Sequence, residues 1–298
     1  MTPDDYWKTY EHEVDSLGSF LEAVPKISGY VAPYQTRFVW RGVSDASFGL
    51  HSKLARAYHY KNNGAWPNEK QLRGLETAVL EEARAWPLQW HDTGGRLSAL
   101  PLLAVLQHFG APTRLIDFTF NPLVALCFAV EQTAAQRAAG TDGRVFAVDV
   151  AGYEVDDTDA EDSEPWWLAK WGSVASPWCQ RAVVWTPPPI EQRIVRQQAC
   201  FLMGGVPSTS TTRYVDDPTR RQLRAGEVRE CMSIPFTLVD WGHLGPLARG
   251  RPPLYPSFTL RIKNPDAIRR DLDRLFGYSM RSLFPDASGF ADYGRSFR

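Results

Sequence analysis

Three polar stretches stand among otherwise apolar segments of this sequence, and they contain the side chains best suited to binding or catalysis. In the first, residues 38–56, an aromatic segment ends at Arg41-Gly42, and His51 follows. A guanidinium at the end of a strand, with a glycine after it, suits a bidentate grip on a phosphate or a carboxylate. This stretch therefore predicts an anion-binding role for Arg41.

The second stretch, residues 107–122, places seven polar side chains between two segments that read as buried helices. His108 and Asp117 belong to the residue types that transfer protons in general acid–base catalysis. Arg114 lies between them, and arginine suits bidentate contacts with phosphate. The third stretch, residues 193–201, leads into an apolar strand and contains Gln197.

Structural roles stay open for the same residues. Arg41 with Asp117, or Arg114 with Asp45, could form buried ion pairs that only fix the packing register. Other structural roles are a core histidine at His108 and helix caps at Asp117, Thr119 and Asn121. Unpaired buried polar groups cost about 1–3 kcal/mol each, so the grouping of three such stretches favours a shared site.

Several common chemistries are excluded by missing motifs. The sequence has no GxxxxGK[ST], no GxGxxG after a strand and no GxSxG, which excludes P-loop, Rossmann and α/β-hydrolase sites. Four cysteines stand without a CxxC pair, and six histidines without an HExxH. We therefore expect no metal site.

Composition is that of an ordinary globular protein. The 298 residues are 44% apolar and 22% charged, with a formal net charge of -1. No apolar run approaches the roughly 20 residues that span a bilayer, and the beginning does not resemble a secretory signal. We expect a soluble, cytoplasmic protein without a membrane partner. Residues 154–164 contain seven carboxylates, which predicts a solvated acidic loop.

Hydrophobic periodicity predicts the elements that position the three stretches. Helices are expected at residues 5–24, 69–90, from Ser98 to Gly110, from Asn121-Pro122 to about 138, and from Asn264-Pro265 to Gly277. Strands are expected at residues 36–40, 144–150, 182–185, 199–203 and 258–262. Helices predominate early and strands late, so we predict an α+β fold with a mixed or antiparallel sheet and flanking helices.

The polar stretches resemble motifs of the FRG-domain family, which is named for a Phe-Arg-Gly-like motif. Trp40 takes the aromatic place of the opening motif, and Ala199 stands where the third block usually has glycine. The matching segments are residues 38–48, 107–129, 193–201 and 282–289. The resemblance extends over about residues 20–295 and implies a single domain, residues 1–298.

The family's layout looks like that of divergent ADP-ribosyltransferases, which take NAD as substrate and modify protein or nucleic acid. The resemblance implies an intracellular effector or toxin, in some cases in phage defence, with a neutralising antitoxin as a possible partner. Arg41 would bind the NAD phosphates, and Gln197 would replace the usual catalytic Glu, with Asp117 or His108 taking the charge or proton role. The remaining NAD-binding residues would be Gly42, His51, Arg114, Thr119 and Asn121.

Two other functions remain open from the sequence. A non-catalytic nucleotide or nucleic-acid sensor would bind phosphate through Arg41 and Arg114 without breaking a bond. A nuclease would use His51 or His108 as general acid or base. The basic second part and its tryptophans, at positions 166, 167, 171, 178 and 185, could contact RNA or DNA, although most of them are expected in the core.

Overall fold

A computed structural model describes residues 2–8, 10–30, 36–86, 97–155, 182–189, 192–208, 224–234, 236–239, 241 and 256–293. Over these residues nine strands form one mixed sheet in the order β1-β9-β4-β2-β3-β7-β6-β5, with β8 also paired to β9. The strands are β1 Glu11–Val14, β2 Phe38–Val43, β3 Ile116–Thr119, β4 Gly143–Asp149, β5 Glu154–Val155, β6 Ala182–Trp185, β7 Ala199–Gly204, β8 Thr237–Leu238 and β9 Pro256–Ile262.

Twelve helices flank this sheet within the described parts of the chain. They are α1 Pro3–Lys8, α2 Leu17–Tyr30, α3 Lys53–Lys61, α4 Glu69–Ala85, α5 Ala99–His108, α6 Pro122–Val130, α7 Ala134–Ala139, α8 Gln192–Arg196, α9 Ala225–Cys231, α10 Pro265–Phe276, α11 Met280–Leu283 and α12 Ala287–Tyr293. The predicted α+β class with a mixed sheet is confirmed. None of the described helices is long and apolar enough to cross a membrane.

The central strands bury side chains on both faces of the sheet, since successive side chains along a strand point to opposite faces. Val39 of β2 packs in one apolar cluster with Tyr6 and Trp7 of α1. Trp40, the next residue, packs in a second cluster with α2, α6 and α10. The helix α6 is almost wholly apolar because it lies between the sheet and α10.

The sheet has one weak junction, between β2 and β3. β2 pairs with β4 from Phe38 to Val43, and β3 pairs with β7 from Ile116 to Thr119. Between β2 and β3 the register contains a single pair, Trp40 with Thr119. Beyond that pair the register of β2 with β3 does not continue. An opening can therefore form between the two strands.

The predicted helix at 5–24 is wrong. The segment folds as α1, the strand β1 and α2, and β1 pairs in parallel with β9 from Thr259 to Ile262. Glu11 of β1 forms ion pairs with Arg144 and Arg261. Tertiary pairing and buried ion pairs thus override the helical spacing of the apolar residues.

The predicted helix from Asn121 to about 138 is two helices. α6 ends at Val130, and Thr133 begins α7 with a capping box to Gln136. Between them, the Gln132 side chain donates to the carbonyl oxygens of Thr141 and Ser44, at 2.6 and 3.2 Å. These side-chain hydrogen bonds stabilise the non-helical connection between α6 and α7.

Candidate functional site

A cleft of about 380 Å³ opens beside the junction of β2 and β3. Pockets for small molecules commonly have volumes of about 300–1,000 Å³. Strands β2, β3 and β7 form its floor, and helices α3, α5, α6 and α8 contribute its walls. The aromatic side chains lining it are Trp40, Phe118, Phe128, Phe201 and Phe284.

The three polar stretches converge on this cleft. Seven of the nine predicted site residues line it: Arg41, Gly42, His51, His108, Asp117, Thr119 and Gln197. They come from positions up to 156 residues apart in sequence (197 minus 41). Arg114 and Asn121 are not among the lining residues. The structure thus brings together the main residues of all three stretches.

Arg41 bridges the opening between β2 and β3. Its Nη1 donates to the Asp117 carbonyl oxygen at 2.6 Å and lies 3.7 Å from Asp117 Oδ2. Its side chain is only 19% exposed. Burial lowers the pKa of the Arg41 guanidinium, repulsion from Arg56 lowers that pKa further, and attraction to Asp117 opposes both. Arg41 lies within β2, rather than at the predicted strand end.

Arg56 on α3 is the second guanidinium of the cleft. Its Nη1 donates to the His51 carbonyl oxygen at 2.6 Å, and burial lowers its pKa. Within the described residues, no carboxylate lies within ion-pairing distance of Arg56 or of Lys53, whose ammonium contacts the Gly110 carbonyl. The cleft therefore contains more positive than negative charge.

Asp117 supplies a carboxylate that is held in place yet open to solvent. Its side chain is 66% exposed, and its Oδ1 accepts a hydrogen bond from Gln107 Nε2 at 2.7 Å. Gln107 is oriented in turn by the Thr113 hydroxyl, which donates to Gln107 Oε1. These two hydrogen bonds hold the Asp117 carboxylate in one orientation at the cleft.

Gln197 lies in the turn between α8 and β7, not on the strand itself. The Thr119 hydroxyl donates to the Gln197 carbonyl oxygen at 2.6 Å, and Gln197 Nε2 donates to the Leu283 carbonyl at 3.1 Å. Thr119 therefore fixes this turn to β3. The hydrogen bond to Leu283 fixes the Gln197 amide, which is half-buried at the cleft wall.

Asn121 is a helix cap, which was the structural alternative for this residue. Its Oδ1 accepts from the amide of Leu123 at 2.9 Å, at the start of α6. Its Nδ2 donates to the Tyr278 hydroxyl at 2.8 Å. Both ends of the amide are thus engaged by the protein. The structure therefore gives Asn121 a capping role outside the cleft lining, and its predicted contact with NAD stays a prediction.

Arg114 is likewise placed away from the cleft. Its guanidinium is buried between the carboxylates of Glu69 and Glu76, at 3.0 and 3.1 Å, and it also donates to the Gly204 carbonyl. The pairing with Asp45 is wrong too, since Asp45 caps the turn through the amide of Ser47. Arg114 thus joins α4 to the sheet, and its predicted contact with NAD stays a prediction.

His51 lines the cleft as a neutral ring. Its Nε2 lies 2.8 Å from the Arg229 carbonyl and must carry the proton, because a carbonyl only accepts. The ring stacks on Trp66 at 3.7 Å between centroids. Burial lowers its pKa to about 3. A ring that stays neutral in this way does not suit the role of general acid. His108 is only half-buried, and its ring contacts Phe109 edge-on at 5.0 Å between centroids.

Gly42 has a packing role beside its place in the cleft. A Cβ at this position would lie 1.8 Å from the Ala125 carbonyl oxygen and 2.7 Å from the Ala129 amide nitrogen. Glycine therefore allows α6 to approach β2 closely, which brings Ala125 and Phe128 to the cleft wall. Its predicted contact with a ligand remains a prediction.

Four polar lining residues were not among the predicted site residues: Lys53, Arg56, Gln107 and Arg193. All four lie inside the three polar stretches. Arg56 follows Arg41 by 15 positions (56 minus 41), and its position one helical turn after Lys53 was the available signal. Arg193 differs from the others because Asp286 neutralises it at 2.8 Å.

Several predictions fall on residues that the structure does not describe. Of the acidic segment 154–164, only Glu154 and Val155 are described, as β5. Trp166, Trp167, Trp171 and Trp178 also lie outside the described residues. Trp185 is 1% exposed, which confirms the core alternative for this tryptophan.

Comparison with known proteins bears on the first two polar stretches. Residues 36–138 match the family model of the FRG domain, and this segment contributes Arg41, Arg56, His108 and Asp117 to the cleft. No curated protein and no solved structure matches the chain.

Proposed function

We propose that this chain, whose residues 36–138 match the family model of the FRG domain, is an NAD-dependent ADP-ribosyltransferase-like effector. The substrate NAD would bind in the cleft beside β2 and β3, and its ADP-ribose would pass to an intracellular macromolecule. The proposal includes a role as a cytoplasmic toxin or phage-defence protein, with a neutralising antitoxin as partner.

The observation that carries this proposal is the charge of the cleft. Arg41 and Arg56 are both withdrawn from water and repel one another. The described residues offer them one carboxylate, Asp117, at 3.7 Å from Arg41. A diphosphate supplies the missing negative charge and accepts the paired hydrogen bonds that guanidinium groups donate.

Asp117 is the best placed residue for the bond-breaking step. When the bond between nicotinamide and ribose breaks, its electron pair leaves with nicotinamide and positive charge develops on the ribose. A fixed carboxylate stabilises that charge, and Gln107 holds Asp117 for this role. The ribose carbon then bonds to the acceptor's nucleophile, whose proton passes to His108 or to water. Gln197 would hydrogen-bond a ribose hydroxyl through its Oε1.

Nicotinamide release tests the proposal directly. Purified protein is incubated with NAD alone and with total RNA, DNA or cell lysate, and nicotinamide is quantified by chromatography. We expect release by the wild type and a loss of about a hundredfold in Asp117→Asn, because one stabilising group is removed. Asp271→Asn, an exposed carboxylate on α10, serves as matched control and should retain the activity.

A non-catalytic nucleotide sensor is the second candidate. It is favoured by the absence of a second carboxylate among the described residues lining the cleft, and by a glutamine, Gln197, where the family resemblance leads us to expect the usual Glu. A sensor would bind NAD or ADP-ribose in calorimetric titration without releasing nicotinamide with any acceptor. Failure to bind either compound would overturn both candidates.

A further inference from the structure

The helix α3 combines positive charge with exposed aromatic rings. Lys53, Arg56 and Lys61 lie on this nine-residue helix, which contains no Asp or Glu. Tyr60 is 81% exposed. Positions 53, 56 and 60 share one face of a helix, so Tyr60 lies on the same side as the two cations that line the cleft.

A second exposed ring lies at the end of α5. Phe109 is 78% exposed and follows His108, which lines the cleft. The Lys53 ammonium contacts the carbonyl of Gly110, the next residue. This contact joins the start of α3 to the turn after α5. The two rings therefore belong to, or directly follow, helices that line the cleft, and the Lys53 contact joins these two parts of the chain.

We propose that this surface, formed by Tyr60, Lys61 and Phe109, binds a single-stranded nucleic acid and presents it to the cleft as the ADP-ribose acceptor. The inference rests on the proposed function and specifies its acceptor. Bases stack on the two exposed rings, while Lys61 neutralises a backbone phosphate. His108, beside Phe109, faces the acceptor group that enters the cleft.

The composition of the surface favours nucleic acid over a protein acceptor. Tyr60 and Phe109 are the two most exposed large apolar side chains of the described residues, and exposed aromatic rings can serve as stacking platforms for bases. A peptide would need partners for its own charges, yet α3 offers cations alone. Proteins that bind single-stranded nucleic acids combine aromatic rings with positive charge in this way.

Binding of labelled oligonucleotides tests the surface. Fluorescence anisotropy is measured with 12-nucleotide oligo-U, oligo-dT and a 12-base-pair duplex over a range of salt concentrations. We expect Tyr60→Ala and Phe109→Ala each to weaken single-strand binding roughly tenfold. Lys61→Gln should make the plot of log affinity against log salt shallower by about 0.7, the value for one lost phosphate contact.

Matched controls lie elsewhere on the molecule. Phe290→Ala removes another exposed ring, on α12 and 73% exposed, and Lys26→Gln removes an exposed cation on α2. Both should bind the oligonucleotides as the wild type does. Equal affinity for single strands and duplex, or unchanged affinity in Tyr60→Ala and Phe109→Ala, would overturn the proposal.

A transfer assay separates this inference from the proposed function. With labelled NAD, Tyr60→Ala should lose transfer to the single strand while keeping wild-type NAD binding and acceptor-free nicotinamide release. NAD cleavage by a wild type that labels lysate proteins but no nucleic acid overturns the inference and leaves the proposed function standing. Single-strand binding without NAD binding overturns the proposed function and, with it, the role of the strand as ADP-ribose acceptor. The oligo-U and oligo-dT arms distinguish RNA from DNA.

Discussion

Arg41 and Arg56 are charged groups taken out of water, and Asp117 is the one described carboxylate near them. Burying a charge without a partner is costly. A dissolved anion that enters the cleft should therefore stabilise the folded protein by linkage, since it binds the native state and not the unfolded chain. This holds whether the protein is a transferase or a sensor.

Pyrophosphate is the simplest probe of this charge imbalance. At a hundredfold excess over its Kd it should contribute about 2.7 kcal/mol and raise the Tm by roughly 5 °C, measured by calorimetry. Arg41→Gln should remove this increase, whereas Arg270→Gln, on the exposed side of α10, should keep it. A similar increase in Arg41→Gln would contradict the assignment of the guanidinium to phosphate.

His51 predicts a pH-dependent loss of stability. Burial lowers its pKa to about 3 in the folded protein, against about 6.5 in the unfolded chain. The unfolded chain therefore binds a proton first as the pH falls, and the stabilisation present above pH 6.5 is lost between 6.5 and 3. The free energy of unfolding should fall by about 2 kcal/mol from pH 7 to 5 through this group.

Urea denaturation at both pH values measures this contribution. His51→Gln has no titrating ring, so its free energy of unfolding should fall less steeply with acid than that of the wild type. The difference between the two slopes isolates His51 from the carboxylates, which titrate in both proteins. Equal slopes would show that the ring is protonated without unfolding.

At the scale of elements, the contact between β2 and α6 positions the cleft. Gly42→Ala would place a Cβ 1.8 Å from the Ala125 carbonyl, a backbone group that cannot move without shifting the helix. We expect destabilisation of the size of other overpacking substitutions, about 1–3 kcal/mol or more. Denaturant unfolding by circular dichroism measures it.

Gly74→Ala provides the matched comparison. Gly74 lies on the exposed side of α4, and no neighbouring group lies within 4 Å of the place that a methyl group would take there. Alanine in a helix interior is more stable than glycine by about 0.5–1 kcal/mol. The two substitutions are chemically identical and should change stability in opposite directions. Equal effects would contradict the close approach of α6.

Elements with strong local signals were predictable from the sequence. Strand β6 coincides with residues 182–185, and α10 begins after Asn264 and ends before Gly277. The strand β1 could not be predicted, because Glu11–Val14 forms a strand only through pairing with β9, almost 250 residues later. Local periodicity contains no information on such a partner.

The site was predictable to the extent that its residues cluster in the sequence. Arg41 and Gly42 are neighbours in the sequence, and His108 and Asp117 are close together in it. This clustering indicated the stretches that line the cleft. What sequence reasoning could not separate was Arg114 from Arg41, since both are arginines beside aromatic or apolar residues. Only the fold reveals that Glu69 and Glu76 neutralise Arg114.

At the scale of the whole molecule, an ion-pair network ties the beginning of the described chain to the sheet. Arg144 is fully buried and contacts Glu11 and Asp4, and Arg261 contacts the same two carboxylates and Asp142. The network links α1 and β1 to β4 and β9. Removing Arg144 would leave Glu11 buried with only its contact to Arg261, and a buried charge that loses a partner is costly.

Arg144→Met should destabilise the protein by about 3–5 kcal/mol, since Glu11 would remain buried without its main partner. Glu11→Leu in the same chain should recover part of that loss. Urea denaturation of the two single variants and the double variant completes a double-mutant cycle. Strictly additive losses would mean that Arg144 and Glu11 do not depend on each other.

The single backbone pair between β2 and β3 has a consequence for the exchange of amide hydrogens with solvent. Where the strands part, the guanidinium of Arg41 substitutes for the missing rung by bonding to the carbonyl of Asp117. An anion that attracts this guanidinium competes with that bond. Occupancy of the cleft should then be reported by deuterium uptake along Ile116–Thr119, far more than along the six-residue ladder of β2 with β4.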